Sequence, residues 1–281
     1  MAAFDPGLGG DAGPPRAKVA TCFRLCGGAI APLEATIAAE VPVALVYNGI
    51  PHVVMMATPA DLEDFALGFS LSEGLLATAD ELQGIEIVEG DSGIEARMQI
   101  ARHRLAGIAD RDRNLTGRTG CGLCGVNTLT QVTRPIPRVE SDLRVGVDAL
   151  HRALADLPVR QTVNRQTGAV HAAAWVDPDG NIRLVREDVG RHNALDKLIG
   201  ALARTQADPA AGFAVITSRC SFEMVQKAAV FGIAILVAIS APTTLALKVA
   251  EQSGVTLVAL ARADSVNVYA NPGRIRGVIG V

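Results

Sequence analysis

The residues best suited to chemistry are two thiols in a glycine frame, Thr119-Gly120-Cys121-Gly122-Leu123-Cys124-Gly125. The three glycines remove side-chain obstruction and let the backbone approach a partner closely. Arg102, Arg104, Arg111, Arg113 and Arg118 precede the pair, and nearby guanidinium groups favour thiolate over thiol. Between Arg102 and Gly125 the apolar periodicity collapses, and loops of this length inside compact domains are usually functional or disordered. The pattern predicts an exposed, mobile loop bearing a nucleophilic thiolate. Such a thiolate suits sulfur relay, because it must attack a donor persulfide and then present its own.

Other readings of a C-x-x-C pair compete. Structural zinc needs four ligands and the pair supplies two; Cys22 and Cys26 could complete the set, but they fall in a segment expected to be poorly ordered. Zinc deaminases place Pro before the first cysteine and an H-x-E motif upstream. Here Gly120 precedes the pair, and no histidine has Glu two positions later. A thioredoxin-type pair would open a helix after a strand, and no such pattern surrounds this one. Sulfur or redox chemistry therefore ranks ahead of zinc, and no metal ligand is assigned.

Four polar segments follow predicted strands: Arg186–Asn193, Ser218-Arg219-Cys220-Ser221, Ser240-Ala241-Pro242-Thr243, and the stretch around Arg262. In open α/β sheets the carboxyl ends of strands form the ligand crevice, and helix N-termini there offer N–H groups to anions. Arg186, Arg191, Arg219 and Arg262 would add positive charge to one rim, as a ligand with several phosphates requires. Singly, Ser218, Ser221 and Thr243 read better as helix caps and the arginines as partners of local acids. Four segments on one edge shift the balance toward a binding site. His192 reads as a helix-capping histidine, Trp175 as core, Met55 and Met56 as sheet residues, and Cys220 as a semi-buried thiol.

The elements that must hold these residues follow from periodicity. Residues 1–30 are rich in Gly, Ala and Pro, which predicts a poorly ordered segment. Residues 31–125 read as a small α+β lobe ending in the cysteine loop. In it, Val43–Tyr47 and Val53–Met56 flank Asn48-Gly49, a hairpin signal because the primed turn needs positive φ. Thr58-Pro59-Ala60-Asp61 predicts a helix start with Thr58 as N-cap, followed by Leu62, Phe65, Ala66 and Phe69 at helical spacing, with Gly74 as the stop. Ile94, Ala96, Met98 and Ile100 alternate as in a half-buried strand. Residues 126–281 read as a second lobe: a helix near 148–157, a hairpin turning at Asp179-Gly180, a helix from Asn193, then alternating strands and helices. That alternation predicts a mixed, largely parallel α/β sheet with helices on both faces.

Composition narrows the function. The 281 residues are 49% apolar and 20% charged, with a net charge of −3, which argues against a protein built to coat nucleic acid. Five cysteines without a paired framework, and no basic region leading into an apolar stretch at the start, point to the cytoplasm. Ala228–Leu247 lacks charge, but Ser240–Thr244 interrupts it and Ile233–Ile239 is rich in β-branched residues, so it reads as strand, turn and helix. No membrane association is expected.

With these residues set out, the chain closely resembles the formate dehydrogenase accessory (FdhD) sulfurtransferase family from about Glu40 onward. The landmarks are Val46-Tyr47-Asn48-Gly49, Met56-Ala57-Thr58-Pro59, Ala66-Leu67-Gly68-Phe69 with Glu73-Gly74, the cysteine pair, Arg186–Lys197, Ser218–Lys227, Ser240–Thr243 and Val255–Arg262. The resemblance implies a cytidine-deaminase-like α/β lobe without the deaminase zinc, and a homodimer. It implies receipt of sulfur from a cysteine desulfurase and transfer to the bis-molybdopterin guanine dinucleotide cofactor destined for apo-formate dehydrogenase. Cys121 matches the persulfide cysteine and Cys124 its partner. Leu260, Ala261, Arg262, Ala263, Asp264 and Ser265 match the cofactor-binding segment, although the family often has Phe where Leu260 stands. No family role carries over to Cys22 or Cys26. From a different class, a zinc-stabilised chaperone that binds the cofactor without sulfur chemistry is the alternative, and metal content separates the two.

Overall fold

The computed structural model describes residues 15–105 and 136–277. Cys121 and Cys124 lie outside the described residues, as does the expectation of a mobile loop around them.

The chain opens with a surprise. Poor order was expected of residues 1–30, yet β1 (Ala17–Cys26) and β2 (Ala29–Ala38) pair antiparallel over ten residues each. Gly27 and Gly28, both at positive φ, make the turn between them. Composition hid a ribbon whose first strand alternates Val19, Thr21, Phe23 and Leu25 with Lys18, Ala20, Cys22 and Arg24.

β3 (Val41–Tyr47) and β4 (Ile50–Ala57) form the expected hairpin. Asn48 and Gly49 both have positive φ, the backbone that a two-residue primed turn demands. β5 (Leu82–Gly90) and β6 (Gly93–Ile100) complete a four-stranded sheet ordered β4-β3-β6-β5. Ile94, Ala96, Met98 and Ile100 point inward as their alternation predicts.

Helix α1 (Leu62–Ser72) packs on that sheet, but it begins later than Thr58-Pro59 suggests: Asp61, in the left-handed region, is its N-cap. Thr58 is engaged elsewhere, fully buried, with its N–H donating to Asp188 Oδ2 at 2.9 Å and its hydroxyl accepting from Val189 N. A tertiary contact has overridden a local cap.

After the short strand β7 (Val145–Gly146) come α2 (Val147–Arg160) and α3 (Thr162–Thr167). The hairpin β8 (His171–Val176) and β9 (Ile182–Asp188) leads into α4 (Arg191–Arg204). Then follow β10 (Phe213–Ile216), α5 (Phe222–Phe231), β11 (Ile235–Ala238), α6 (Thr244–Ser253), β12 (Thr256–Ala259) and β13 (Asn267–Ala270). β14 (Ile275–Arg276) pairs with β7.

The central sheet has order β13-β12-β11-β10-β8-β9. It is mixed, as expected, but not largely parallel: only β10–β11 and β11–β12 run parallel, while β8–β9, β8–β10 and β12–β13 are antiparallel. Hairpins at both ends flank the parallel middle and account for the difference. Side chains alternate between two cores. Ala214, Ile216, Leu236, Ala238, Leu257 and Ala259 face one, and Phe213, Val215, Ile235, Val237 and Val258 face the other, beneath Leu150, Leu154 and Leu157 of α2. Each fully buried Val, Leu or Ile contributes about 1.5–3 kcal/mol.

The first core continues without a break through α4 and α1 into the four-stranded sheet. At the α1–α4 crossing the backbones touch. A Cβ on Gly68 would lie 1.7 Å from Asp196 O, and one on Gly200 would lie 1.9 Å from Asp64 O. Around the crossing every charge is matched. Fully buried Lys197 pairs with Asp188 at 2.7 Å and donates to Thr58 O at 2.9 Å. Lys227 Nζ meets Asp196, Glu73 and the Ser72 hydroxyl, each at 2.9 Å, and sits 5.4 Å over the Phe69 ring.

Candidate functional site

The parallel strands β10, β11 and β12 end at one edge of the central sheet. Because β8 and β13 run antiparallel to their neighbours, their first residues, His171 and Asn267, lie at that same edge, as does Asp188 at the end of β9. The loops leaving this edge are bonded to one another. Cys220 N donates to Ala241 O and Thr243 N to Cys220 O, so the loops after β10 and β11 form a short parallel bridge through Cys220 and Pro242. Leu260 N then donates to Ser240 O. The edge therefore brings Ser218, Arg219, Ser240, Thr243 and the Leu260–Ser265 turn into one row, with the N-termini of α4, α5 and α6 alongside.

Each predicted residue has a definite place. Arg219 is exposed and forms no ion pair among the described residues. Arg191, the first residue of α4, keeps a buried Nε that has no partner among the described residues. Arg262 is exposed and folds back, with Nη1 donating to Ile239 O and Ala261 O. Leu260 is 39% exposed with φ of 50°, a left-handed backbone unusual for a branched side chain. Ala261 is buried, whereas Ala263, Asp264 and Ser265 are exposed on the turn closed by Arg262 N donating to Ser265 O at 2.7 Å. Thr243 caps α6 by accepting from Ala246 N. Ser218 and Ser221 do not cap: the Ser218 hydroxyl donates to Arg219 O, and that of Ser221 to Glu223 at 3.4 Å.

Arg186 departs from expectation. Its guanidinium donates through Nε and Nη2 to Asp64 Oδ2 at 2.8 and 2.7 Å, and Asp61 lies 3.6 Å away. It belongs to the α1–α4 seam and not to the rim. A buried carboxylate on α1 has captured it, and single-sequence reading had no means to see that contact.

The structure also adds residues. Asp188 accepts from Gly190 N and from Asn193 Nδ2, tying the start of α4 to the sheet edge. Asn193 Nδ2 also donates to Met56 O. Glu187 accepts from Val163 N and Asn164 N at the start of α3. His192, buried instead of simply capping, has Nε2 3.1 Å from Glu223 Oε2. Burial and then the Arg191 charge push the His171 imidazole below its usual range, so the arginines supply the rim's positive charge near neutral pH. The run Glu187-Asp188 before Gly190 was the available signal: acids closing a strand just before a helix serve as a cap as readily as a site.

The remaining thiols separate cleanly. Cys220 is wholly buried, and burial pushes its thiol up to about 12. Cys22 and Cys26 project from the same side of β1, four residues apart, about 13 Å along a strand. Thiolates sharing one tetrahedral zinc lie only about 4 Å apart. These two therefore cannot complete one zinc site with Cys121 and Cys124. Among the described residues no three His, Cys, Asp or Glu side chains cluster as metal ligands, and no helix is long and apolar enough to cross a membrane.

Residues 38–276 match the model of the FdhD/NarQ family. The chain is 53% identical over 261 residues to the sulfur carrier protein FdhD of Xanthomonas euvesicatoria, covering 93% of each chain. It is 50% identical over 271 residues to that of Cupriavidus necator, covering 96% of this chain and 94% of the relative. A crystal structure from Desulfotalea psychrophila, described as a formate dehydrogenase accessory protein, superposes with a TM-score of 0.72 at 25% identity. It covers 93% of this chain and all of that one.

Proposed function

The chain belongs to the FdhD/NarQ family, and from that premise we propose that it is a sulfur carrier for formate dehydrogenase, holding sulfur as a persulfide on Cys121. Curated relatives at 50–53% identity carry the sulfur carrier name. The observation that carries the finer reading is the rim: Arg191, Arg219 and Arg262 stand beside three helix N-termini on one sheet edge, without carboxylate partners among the described residues. This suits an anionic dinucleotide, and the bis-molybdopterin guanine dinucleotide cofactor is its substrate in this reading. The sheet order and its antiparallel first hairpin are in keeping with a cytidine-deaminase-like lobe.

Sulfur moves without net redox change in the first step. The Cys121 thiolate attacks the outer sulfur of a persulfide on a cysteine desulfurase; a new S–S bond forms, the donor's S–S bond breaks, and the donor leaves as thiolate. In the second step Cys124 attacks the inner sulfur of the Cys121 persulfide, a disulfide forms, and the terminal sulfur leaves as sulfide for the cofactor. A dithiol reductant must then reset the pair. The rim supplies affinity, so that sulfur reaches the cofactor and not solvent thiols. The recipient of the loaded cofactor is apo-formate dehydrogenase, in the cytoplasm.

Covalent geometry permits the encounter. The described residues flanking the pair are at the end of the layer opposite the rim: Arg104 faces the same hollow as Ala203, Gln206 and Phe231, and Val139 N donates to Ser253 O. That end is about 21 Å from the rim, the length of fourteen-residue α4. Cys121 stands 16 residues beyond Leu105 and 15 before Ile136, and 15 residues span at most about 50 Å.

The test is mass spectrometry after incubation with a cysteine desulfurase and cysteine. Wild type gains the mass of sulfur on the Cys121 peptide; Cys121→Ala gains none; Cys124→Ala loads once and fails in turnover. Full loading of Cys121→Ala overturns the assignment.

A further inference from the structure

His171 opens β8 at the rim, and the sheet fixes the direction of its ring. Directly opposed residues of an antiparallel pair project from one face, so His171 shares a face with its partner Asp188. Alternation along β8 adds Ala173 and Trp175 to that face, and both lie in the core that α4 covers. The imidazole therefore sits where that core reaches the sheet edge, against the first turn of α4. It is half-buried, with Nδ1 3.4 Å from the hydroxyl of Thr217 just after β10.

The charged groups around this ring divide into engaged and unengaged. Asp188 is engaged at both oxygens: one accepts from Gly190 N and Asn193 Nδ2, the other from Thr58 N and Lys197. His192 of α4 meets Glu223 of α5. Arg191 is different. Its Nε is buried without a partner among the described residues, at the positive end of a fourteen-residue helix. Burial, then the like charges of Arg191 and His192 against the pull of Asp188, hold the His171 imidazole below its usual range. An anion set against Arg191 would offset the guanidinium charge and add an attraction of its own. Both effects favour the imidazolium.

We propose that His171 and Arg191 form a proton-linked anion clamp: a phosphate group at the first turn of α4 meets the guanidinium and draws a proton from solvent onto the imidazole. The clamp rests on the reading of the rim as the nucleotide site, and adds to it the residue that tunes affinity. The imidazole lone pair takes the proton from water, no bond of the ligand changes, and release of the anion returns the proton. An empty rim thereby avoids two adjacent unpaired cations. Because the complex holds the proton more tightly than the free protein does, affinity is greatest at low pH. It declines as pH rises through the value of the ring in the complex, and above that range Arg191 and the helix end hold the anion alone.

The probe is GDP-mannose, a pyrophosphate diester with no phosphate group that titrates near neutral pH, so any linked proton belongs to the protein. Calorimetric titration of the full chain at fixed ionic strength, from about pH 6 to about pH 8.5, spans the histidine range. Repeating it at one pH in buffers of different ionisation enthalpy reads proton uptake. Wild-type affinity falls as pH rises, by up to about tenfold per pH unit for one linked proton, and binding takes up protons. His171→Gln keeps an N–H donor but does not titrate, so its affinity is flat with pH and no proton is taken up. Flat wild-type affinity overturns the clamp and leaves the rim as the nucleotide site. So does a slope that persists in His171→Gln, which would put the proton on the His192–Glu223 pair or elsewhere. Absence of binding at every pH removes the rim reading and the clamp together. Should His171→Gln fail to fold, His171→Asn replaces it, and a wild type that takes up no proton still refutes the clamp by itself.

Discussion

At the seam between α1 and α4, Arg186 and Arg204 share Asp64, Lys197 holds Asp188, and Lys227 holds Asp196. About one helix turn beyond Asp188, at the rim, Arg191 and Arg219 meet no carboxylate among the described residues. The same residue types serve opposite ends. In the seam Asp64, Asp188, Asp196, Lys197 and Lys227 are buried, and a buried charge needs a partner to offset its desolvation. At the rim Arg219 is exposed and Arg191 partly so, and both are available to an anion. Partnering, and not residue type, separates the arginines that hold the fold from those that can bind.

The seam should break hardest. Lys197→Met leaves Asp188 buried without its cation and is expected to cost about 3–5 kcal/mol, read as a lower urea midpoint. Gly200→Ala pushes a methyl into Asp64 O across the crossing, and overpacking of this kind costs about 1–3 kcal/mol. A Lys197→Met protein as stable as wild type would show that the seam does not depend on this pairing.

The rim is read by ligand. GDP, carrying the guanine and two phosphates of one end of the proposed substrate, should bind wild type measurably by calorimetry. Arg219→Ala should weaken that binding by about 1.5–3 kcal/mol, the loss of a charge-assisted hydrogen bond, with the thermal midpoint unchanged. Cys121→Ala should bind GDP as wild type does. Retained affinity in Arg219→Ala, or its loss in Cys121→Ala, would place the nucleotide elsewhere.

Legibility in the sequence divides along the same line. Local signals worked: Asn48-Gly49 turned the β3–β4 hairpin, alternation placed Met98 and Ile100 inward, and the uncharged Ala228–Leu247 stretch resolved into helix end, strand, turn and helix. The four loop segments converged because strand–helix alternation fixes which end of the sheet they leave. Tertiary capture was invisible. Thr58 has the pattern of a cap and became a partner of Asp188; Arg186 has the pattern of a rim residue and became a partner of Asp64. Nothing in one sequence says which distant carboxylate will be buried nearby. The ribbon was missed for another reason: glycine and proline at its flanks outweighed the alternation within it.

The smallest expected effect is the most discriminating. Arg186→Ala removes an arginine that sequence places on the same rim as Arg219, yet both of its bonds to Asp64 point into the seam. GDP affinity should therefore stay within about twofold of wild type, since ~0.4 kcal/mol corresponds to a factor of two. Stability should fall, because Asp64 is 5% exposed and keeps, among the described residues, only Arg204, whose side chain is half exposed, as counter-ion. The loss should shrink in Asp64→Asn/Arg186→Ala relative to the sum of the single variants, the signature of a coupled pair. Arg219→Ala gives the mirror image, with affinity lost and stability kept. If Arg186→Ala instead lost GDP binding as severely as Arg219→Ala at unchanged stability, the seam and the rim would not be separate regions, and the ion pair to Asp64 would have to open when the nucleotide binds.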